Sequence, residues 1–586
     1  MFRIYALFLC LTVSFSLSNS QDVYKTVSTK SGMVRGLVDK TLLRRMTFVS
    51  YKGIPYAKPP IGELRFKAPE PVEPWSNVLN TFQHGNKCPQ ISSILPATSE
   101  NCLFLNIYTP VVNVTKKVPV LVYIHGGLFV MGSGNDGWFG PDFFIESEII
   151  LVTMNYRLGI LGFMSLGTEE YSGNMGMKDQ QLALKWIYEN IERFGGDNEQ
   201  ITISGQSAGS KSLGFHLVNE QSSMYFNQMI SMSGTSNTAY SYQSGDHRCL
   251  MQIFANKYSP KCLNNDDELI EFLKSVPVSK IIEFTTETVE GLQSPWNPVI
   301  EKSNSIRPFL REDINVKLQT TTINKNAYFT FTPYEELLFT FGKNYTNANV
   351  IDAYLANFSI DLPIHGYSSS MSRKPYLNGL MNQIRDFYFG EASTDLKRLE
   401  QRLIMDSDLH YIYFIEKWIQ GHVAASQKNT FYHRFSVVTP LNPHIEFQGA
   451  SHTDDLCYVF KCRRFDLLYK GTELTKNISK YNQKISNAME NMMKLFSNFI
   501  KYGNPTIYGN PIEEFKPVQV NELNFVDVTL DDGLISGVSP NGNRTQFLDY
   551  IVEETKRLVE ENGDSPKDTL IQQQCKVLGK TLKRQC

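Results

Sequence analysis

The chain has 586 residues, 42% of them hydrophobic, 12% aromatic and 20% charged, which supplies ample material for a core and excludes an intrinsically disordered protein. Lys and Arg total 57 against 59 Asp and Glu, a net charge of −2. No basic run stands out along the chain, so no nucleic-acid partner is indicated.

Residues 1–20 read as a targeting signal. Arg3 gives the positive end, Ile4 to Leu17 is largely apolar, and Ser18-Asn19-Ser20 offers a small-x-small cleavage site before Gln21. Thr12, Ser14 and Ser16 interrupt the apolar run, which falls short of the roughly 20 residues that span a bilayer. No later stretch is long enough, and Lys580 to Cys586 carries charge where a lipid-anchor signal needs an apolar tail. A freely soluble, extracellular product without a membrane span is expected. Loss of Cys10 with the leader leaves eight of the nine cysteines, an even number suited to an oxidising compartment. Sequons begin at Asn113, Asn344, Asn357, Asn477 and Asn543, while Pro505 excludes Asn504.

No repeat, low-complexity block or long linker interrupts the chain after residue 21. One domain over 21–561 is expected, followed by a polar C-terminal tail, 562–586. Within the domain, Val118 to Ile124 and Ile149 to Met154 read as buried strands, and Leu182, Trp186 and Ile187 give Asp179 to Ile191 helical spacing. Gln200 to Ser204 reads as a further strand, followed by a helix over Ala208 to Leu217. The alternation predicts an α/β fold with a mostly parallel sheet. Further on, Ile485 to Tyr502 carries a Met-rich apolar stripe that reads as core, stopped by Gly503-Asn504-Pro505. Phe547 to Val559 is a second amphipathic helix, packed on the domain or used between chains.

Between the strand at 200–204 and the helix at 208–217 lies Gly205-Gln206-Ser207-Ala208-Gly209, which fits G-x-S-x-G. That turn lifts a serine above the end of a strand in a strained backbone and needs small flanking residues. The pattern alone also fits an ordinary Gly/Ser turn; its place after a strand and before a helix makes Ser207 a candidate nucleophile. Acyl transfer needs N–H donors for an oxyanion, and His125-Gly126-Gly127-Leu128 follows a strand where such donors belong. The amides of Gly127, Leu128 and Ala208 are the candidates. One such donor is worth about 3 to 4 kcal/mol in the transition state.

The chain resembles the type-B carboxylesterase and cholinesterase-like family of α/β hydrolases over nearly its whole length. The resemblance rests on the serine motif, on Phe48 to Ala57, Arg65-Phe66 and Ser99 to Asn106, and on Asn155-Tyr156-Arg157-Leu158, Asp179-Gln180 and Phe194-Gly195-Gly196-Asp197. It implies a large, mostly parallel sheet flanked by helices, an active site in a deep gorge, and a triad in the order Ser, Glu, His. The histidine it implies is His452, in Gly449-Ala450-Ser451-His452-Thr453-Asp454-Asp455. For the acid, an ungapped alignment from Ile323-Asn324-Lys325 points to Glu336, with Leu337 in place of the usual glycine. Glu335 is the acid only if one residue is deleted. The glutamate would hold the imidazole of His452, which passes the Ser207 proton to the leaving alcohol. Such a reaction uses an acyl-enzyme and needs no metal or organic cofactor. Ser233 resembles a serine that supports the glutamate.

The resemblance also implies the disulfides Cys88–Cys102 and Cys249–Cys262. It leaves Cys457, Cys462, Cys575 and Cys586 unpaired, with the terminal cysteine or the C-terminal helix available to link two chains. No tryptophan lies between Cys88 and Cys102, where cholinesterases stack a quaternary ammonium, and Gln206 replaces the usual glutamate before the nucleophile. Both features point from choline esters toward neutral, apolar esters as the small-molecule substrate. Gln206 is shared with juvenile-hormone-esterase-like members. Leu128 stands where the family has glycine or alanine and brings a branched side chain to the acyl pocket. With Leu337, it keeps open an alternative reading, a catalytically weak or inactive relative used for adhesion or binding; the presence of all three triad residue types favours the esterase.

Overall fold

The β-branched run Val118–Ile124 forms a strand whose residues are buried on both faces apart from Pro119. That burial is expected of a strand inside a helix-covered parallel sheet. Its alternation divides the interior: Val120, Val122 and Ile124 join one apolar cluster and Leu121 and Tyr123 the other, because successive side chains leave a strand on opposite faces. The computed structural model describes residues 23–581, apart from 92–97, 112–115, 136, 239, 262, 264, 290–292, 341–361, 365–372, 391–394, 443–448, 474–479, 507–514 and 565–569.

Among the described residues the main sheet has 13 strands. Its order is Tyr24–Ser28, Met33–Lys40, Thr47–Pro55, Phe104–Thr109, Ile150–Met154, Val118–Ile124, Gly196–Gln206, Gln228–Met232, Asn326–Phe331, Thr430–Phe435, Asn524–Val528 and Leu534–Val538, with Leu79–Asn80 joined to Met33–Lys40. Pairing is parallel from Ile150–Met154 through Asn524–Val528 and antiparallel among the flanking strands, the short parallel pairing of Leu79–Asn80 with Met33–Lys40 aside. The predicted helices are present: Met175–Asn190, which starts earlier and ends one residue sooner than expected, and, with wider bounds, Ala208–Val218, Lys480–Tyr502 and Arg544–Glu561. Met489, Met492, Phe496 and Ile500 are buried, so the Met-rich stripe is core. No described helix is long and apolar enough to cross a membrane.

Several of the motif blocks hold the scaffold together. The Arg157 guanidinium grips Asp179 through Nε at 2.8 Å and Nη2 at 2.7 Å, and both side chains are buried. Arg65 pairs with Glu100 and donates to the carbonyls of Leu273, Lys274 and Val276. A buried charge is tolerated only when paired and hydrogen-bonded in this way.

The cysteines correct one expectation. Cys88 bonds Cys102, with Cα atoms 5.0 Å apart, but Cys249 bonds Cys575, not Cys262. The physical reason lies in the tail, where Leu570–Thr581 is a helix packed along Arg248–Tyr258 with Ile571 buried. That contact brings together cysteines 326 residues apart in sequence, which local spacing does not reveal. Cys457 pairs with Cys462. Cys262 and Cys586 lie outside the described residues, as do the sequon asparagines 113, 344, 357 and 477; Asn543 is exposed just before Arg544–Glu561.

Candidate active site

Strand Gly196–Gln206 runs through the middle of the sheet and breaks into helix Ala208–Val218 at one residue, Ser207. Ser207 sits at φ 58° and ψ −125°, outside the regions that L-residues adopt freely. Two backbone bonds hold it there: its N–H donates to Met232 O at 3.0 Å, and its carbonyl accepts from Lys211 N at 2.8 Å. The helix can start so close to the sheet because residue 209 is glycine; a β-carbon there would strike the Ile124 carbonyl oxygen.

The loop after Val118–Ile124 meets this turn directly. A β-carbon on Gly126 would lie 2.6 Å from Gln206 O and 2.9 Å from Ser207 Cβ, so only glycine fits against the serine. Leu128 and Phe129 both have positive φ, 55° and 59°, and Val130 and Met131 donate to Gly127 O at 3.0 Å. No hydrogen bond among the described residues occupies the Gly127 or Leu128 amide. The Ala208 amide opens a helix, where first-turn N–H groups lack intrahelical partners. Leu128 itself packs half-buried against the larger apolar cluster.

A support for this loop was not legible in the sequence. The His125 ring stacks on Tyr156 at 4.4 Å, its Nδ1 lies 2.9 Å from Gly126 O, and Tyr156 donates to His125 O at 2.9 Å. Burial pushes His125 down to about 4, so the ring is neutral near pH 7 and Nδ1–H is the donor to Gly126 O.

His452 is buried, with Nδ1 2.6 Å from Glu335 Oε2. The other carboxylate oxygen of Glu335 accepts from Ser233 Oγ and from Thr332 N, each at 2.8 Å. Glu335, not the expected Glu336, therefore faces the histidine, and Ser233 donates to Glu335. A parallel bridge between Tyr334 and Ser451 sets the acid-bearing segment beside the one carrying His452. Glu335 and Glu336 lie in the turn that follows the bridge, closed by Leu337 N–H donating to Tyr334 O at 3.1 Å, and Glu336 points away. It meets His410, with Oε1 2.7 Å from Nδ1, and its N–H donates to Ser407 Oγ at 3.1 Å.

On the other side of its ring, His452 Nε2 lies 2.9 Å from Gln206 Nε2. With Nδ1–H directed at Glu335, Nε2 is the acceptor of that bond. The Tyr411 ring packs on the imidazole with centroids 4.9 Å apart. Two more carboxyls are buried close by. Burial, helped by the Glu335 charge, pushes Asp455 up to about 8, and burial pushes Asp454 up to about 7 while its Oδ2 accepts from Ser451 N and Asn442 Nδ2. Burial also raises Glu336, against the His410 bond and charge, and lowers Lys211 to about 8.

A sheet ending in a strained serine turn, a glycine loop pressed against it and a buried Glu–His pair above it define an α/β hydrolase. The carboxylesterase family profile matches residues 23–546, and the chain belongs to that family, a carboxylic ester hydrolase. It is 30% identical over 569 residues to juvenile hormone esterase of Tribolium castaneum, covering 92% of this chain and 94% of that protein. It is 32% identical over 538 residues to esterase E4 of Myzus persicae, covering 88% and 92%. Juvenile hormone esterase from Manduca sexta, solved with OTFP covalently attached, superposes with a TM-score of 0.76 at 26% identity, covering 91% of this chain and 100% of that one.

Proposed function

We propose that the protein is a secreted serine esterase that cleaves neutral, apolar carboxylic esters through an acyl-enzyme, with Ser207, His452 and Glu335 as its triad. The observation that carries this reading is the 2.6 Å contact of Glu335 with His452 Nδ1, beside a serine held in a strained strand-to-helix turn. Ser207 Oγ attacks the ester carbonyl while His452 Nε2, released from Gln206, takes the hydroxyl proton and delivers it to the leaving alcohol. Water then attacks the acyl-serine by the same route. The amides of Gly127, Leu128 and Ala208 receive the oxyanion. Secretion is supported by the leader-like residues 1–20.

The neutral Gln206 and the loop without tryptophan between Cys88 and Cys102 support uncharged over cationic esters. The likeness to juvenile hormone esterases makes juvenile-hormone-type methyl esters the specific substrates to test. Purified protein is incubated with a short-chain aryl ester, a juvenile-hormone-type methyl ester and a choline ester, and separately with an organophosphate. Turnover of the neutral esters and covalent labelling of Ser207, both lost in Ser207→Ala, are expected. Absence of turnover and labelling in the wild-type protein would refute the proposal, and a preference for the choline ester would refute its substrate class.

A further inference from the structure

Glu336 is buried, yet it neither faces His452 nor sits idle; it holds one short segment by two bonds. Its N–H donates to Ser407 Oγ, and its carboxylate meets His410 Nδ1 at 2.7 Å. Ser407 ends the helix Asp395–Ser407, and His410 lies in the π-helical turn Asp408–Ile412 that joins it to the helix Tyr413–Ala425. Single π turns of this kind recur at functional sites. The residue after His410 is Tyr411, whose ring packs on the His452 imidazole at 4.9 Å. The turn is pinned at its start as well, where Asp408 accepts from Tyr388 at 2.8 Å and pairs with Arg544 at 3.1 Å.

We infer that Glu336 and His410 are positioning residues for the esterase reaction: by fixing the π turn they press Tyr411 onto His452 and set the plane of the imidazole. Two neighbouring glutamates then hold one histidine by different means. Glu335 fixes Nδ1 by a hydrogen bond, and Glu336 restrains the ring through His410 and Tyr411, whose ring leans on the imidazole at 48°. The imidazole has to move its Nε2 from Gln206 to the Ser207 hydroxyl, so the ring needs a packed neighbour that limits how far it strays. A packed aromatic ring meets that need, and a small misplacement of the base lowers the rate steeply. The inference rests on the triad proposed above.

The test is kinetic, on the full chain with a neutral aryl ester. His410→Ala is expected to lower kcat about tenfold with KM within about twofold. His410→Asn, which keeps an N–H donor near the position of Nδ1, should restore most of the rate. Tyr411→Leu should show the same loss, and the double variant should be no slower than Tyr411→Leu alone, because both changes act through one contact. Should His410→Ala fail to fold, Glu336→Ala removes the acceptor of the same bond. Unchanged kcat in His410→Ala, no rescue by Asn, or losses that multiply in the double variant would each overturn the inference. Ser207→Ala is assayed alongside: its continued turnover would sink the triad itself, whereas its inactivity with normal rates in the His410 variants would sink only the positioning role.

Discussion

Glu335 Oε2 lies 2.6 Å from His452 Nδ1 while the other Glu335 oxygen is held by Ser233 and Thr332. Both lone-pair faces of the carboxylate are thus engaged, and its orientation is set before substrate arrives. Glu335→Gln is expected to lower kcat by about 10³ to 10⁴, because an amide no longer enforces the required tautomer or stabilises the imidazolium. Glu336→Gln should cost about tenfold or less, on the scale of a small misplacement. Steady-state kinetics on the two variants decide between the glutamates, and a larger loss at position 336 would reverse the assignment.

Gln206 donates to the nitrogen that has to serve Ser207. In Gln206→Glu a carboxylate takes that place and stabilises the protonated imidazole. The base works only when neutral, so the acidic limb of the kcat/KM profile should move to higher pH, by about one unit or more. A limb that stays in place would show that residue 206 does not touch His452 in solution.

Asp455 bears on stability. Burial, and then the neighbouring Glu335 and Asp454 charges, push it up from the usual carboxylate range to about 8. The folded state therefore holds a proton that the unfolded state gives up near pH 4, and stability declines as pH rises through that window until the folded carboxyl itself ionises near 8. Asn carries no such proton. The Asp455→Asn variant should lose less Tm than the wild-type protein between pH 5 and 8, in thermal melts run at both pH values; parallel declines would contradict the shift.

The bond between Cys249 and Cys575 ties the C-terminal helix to helix Arg248–Tyr258. Non-reducing peptide mapping should recover a 249–575 crosslink, and Cys575→Ser should cost roughly 2 to 5 kcal/mol, as loss of a disulfide closing a long loop does. Recovery of a 249–262 peptide would restore the pairing that the family resemblance implies.

Much of this site was written in local patterns. Ser207 and the Gly126-Gly127 loop each belong to a strand-turn signature, and strands Val118–Ile124 and Gly196–Gln206 follow from runs of buried β-branched residues, so their place at one sheet edge follows from period and turn chemistry alone. The tertiary structure decided what depends on distant segments meeting. The choice of Glu335 over Glu336 comes from the bridge of Tyr334 with Ser451 and the turn that follows it, which send the two side chains to different histidines, so a one-residue change in the alignment reverses it. The partner of Cys249 depends on a helix that begins more than 300 residues later. Sequence spacing records neighbours along the chain, whereas a hydrogen bond or a disulfide requires atoms to meet in space, and that the fold supplied.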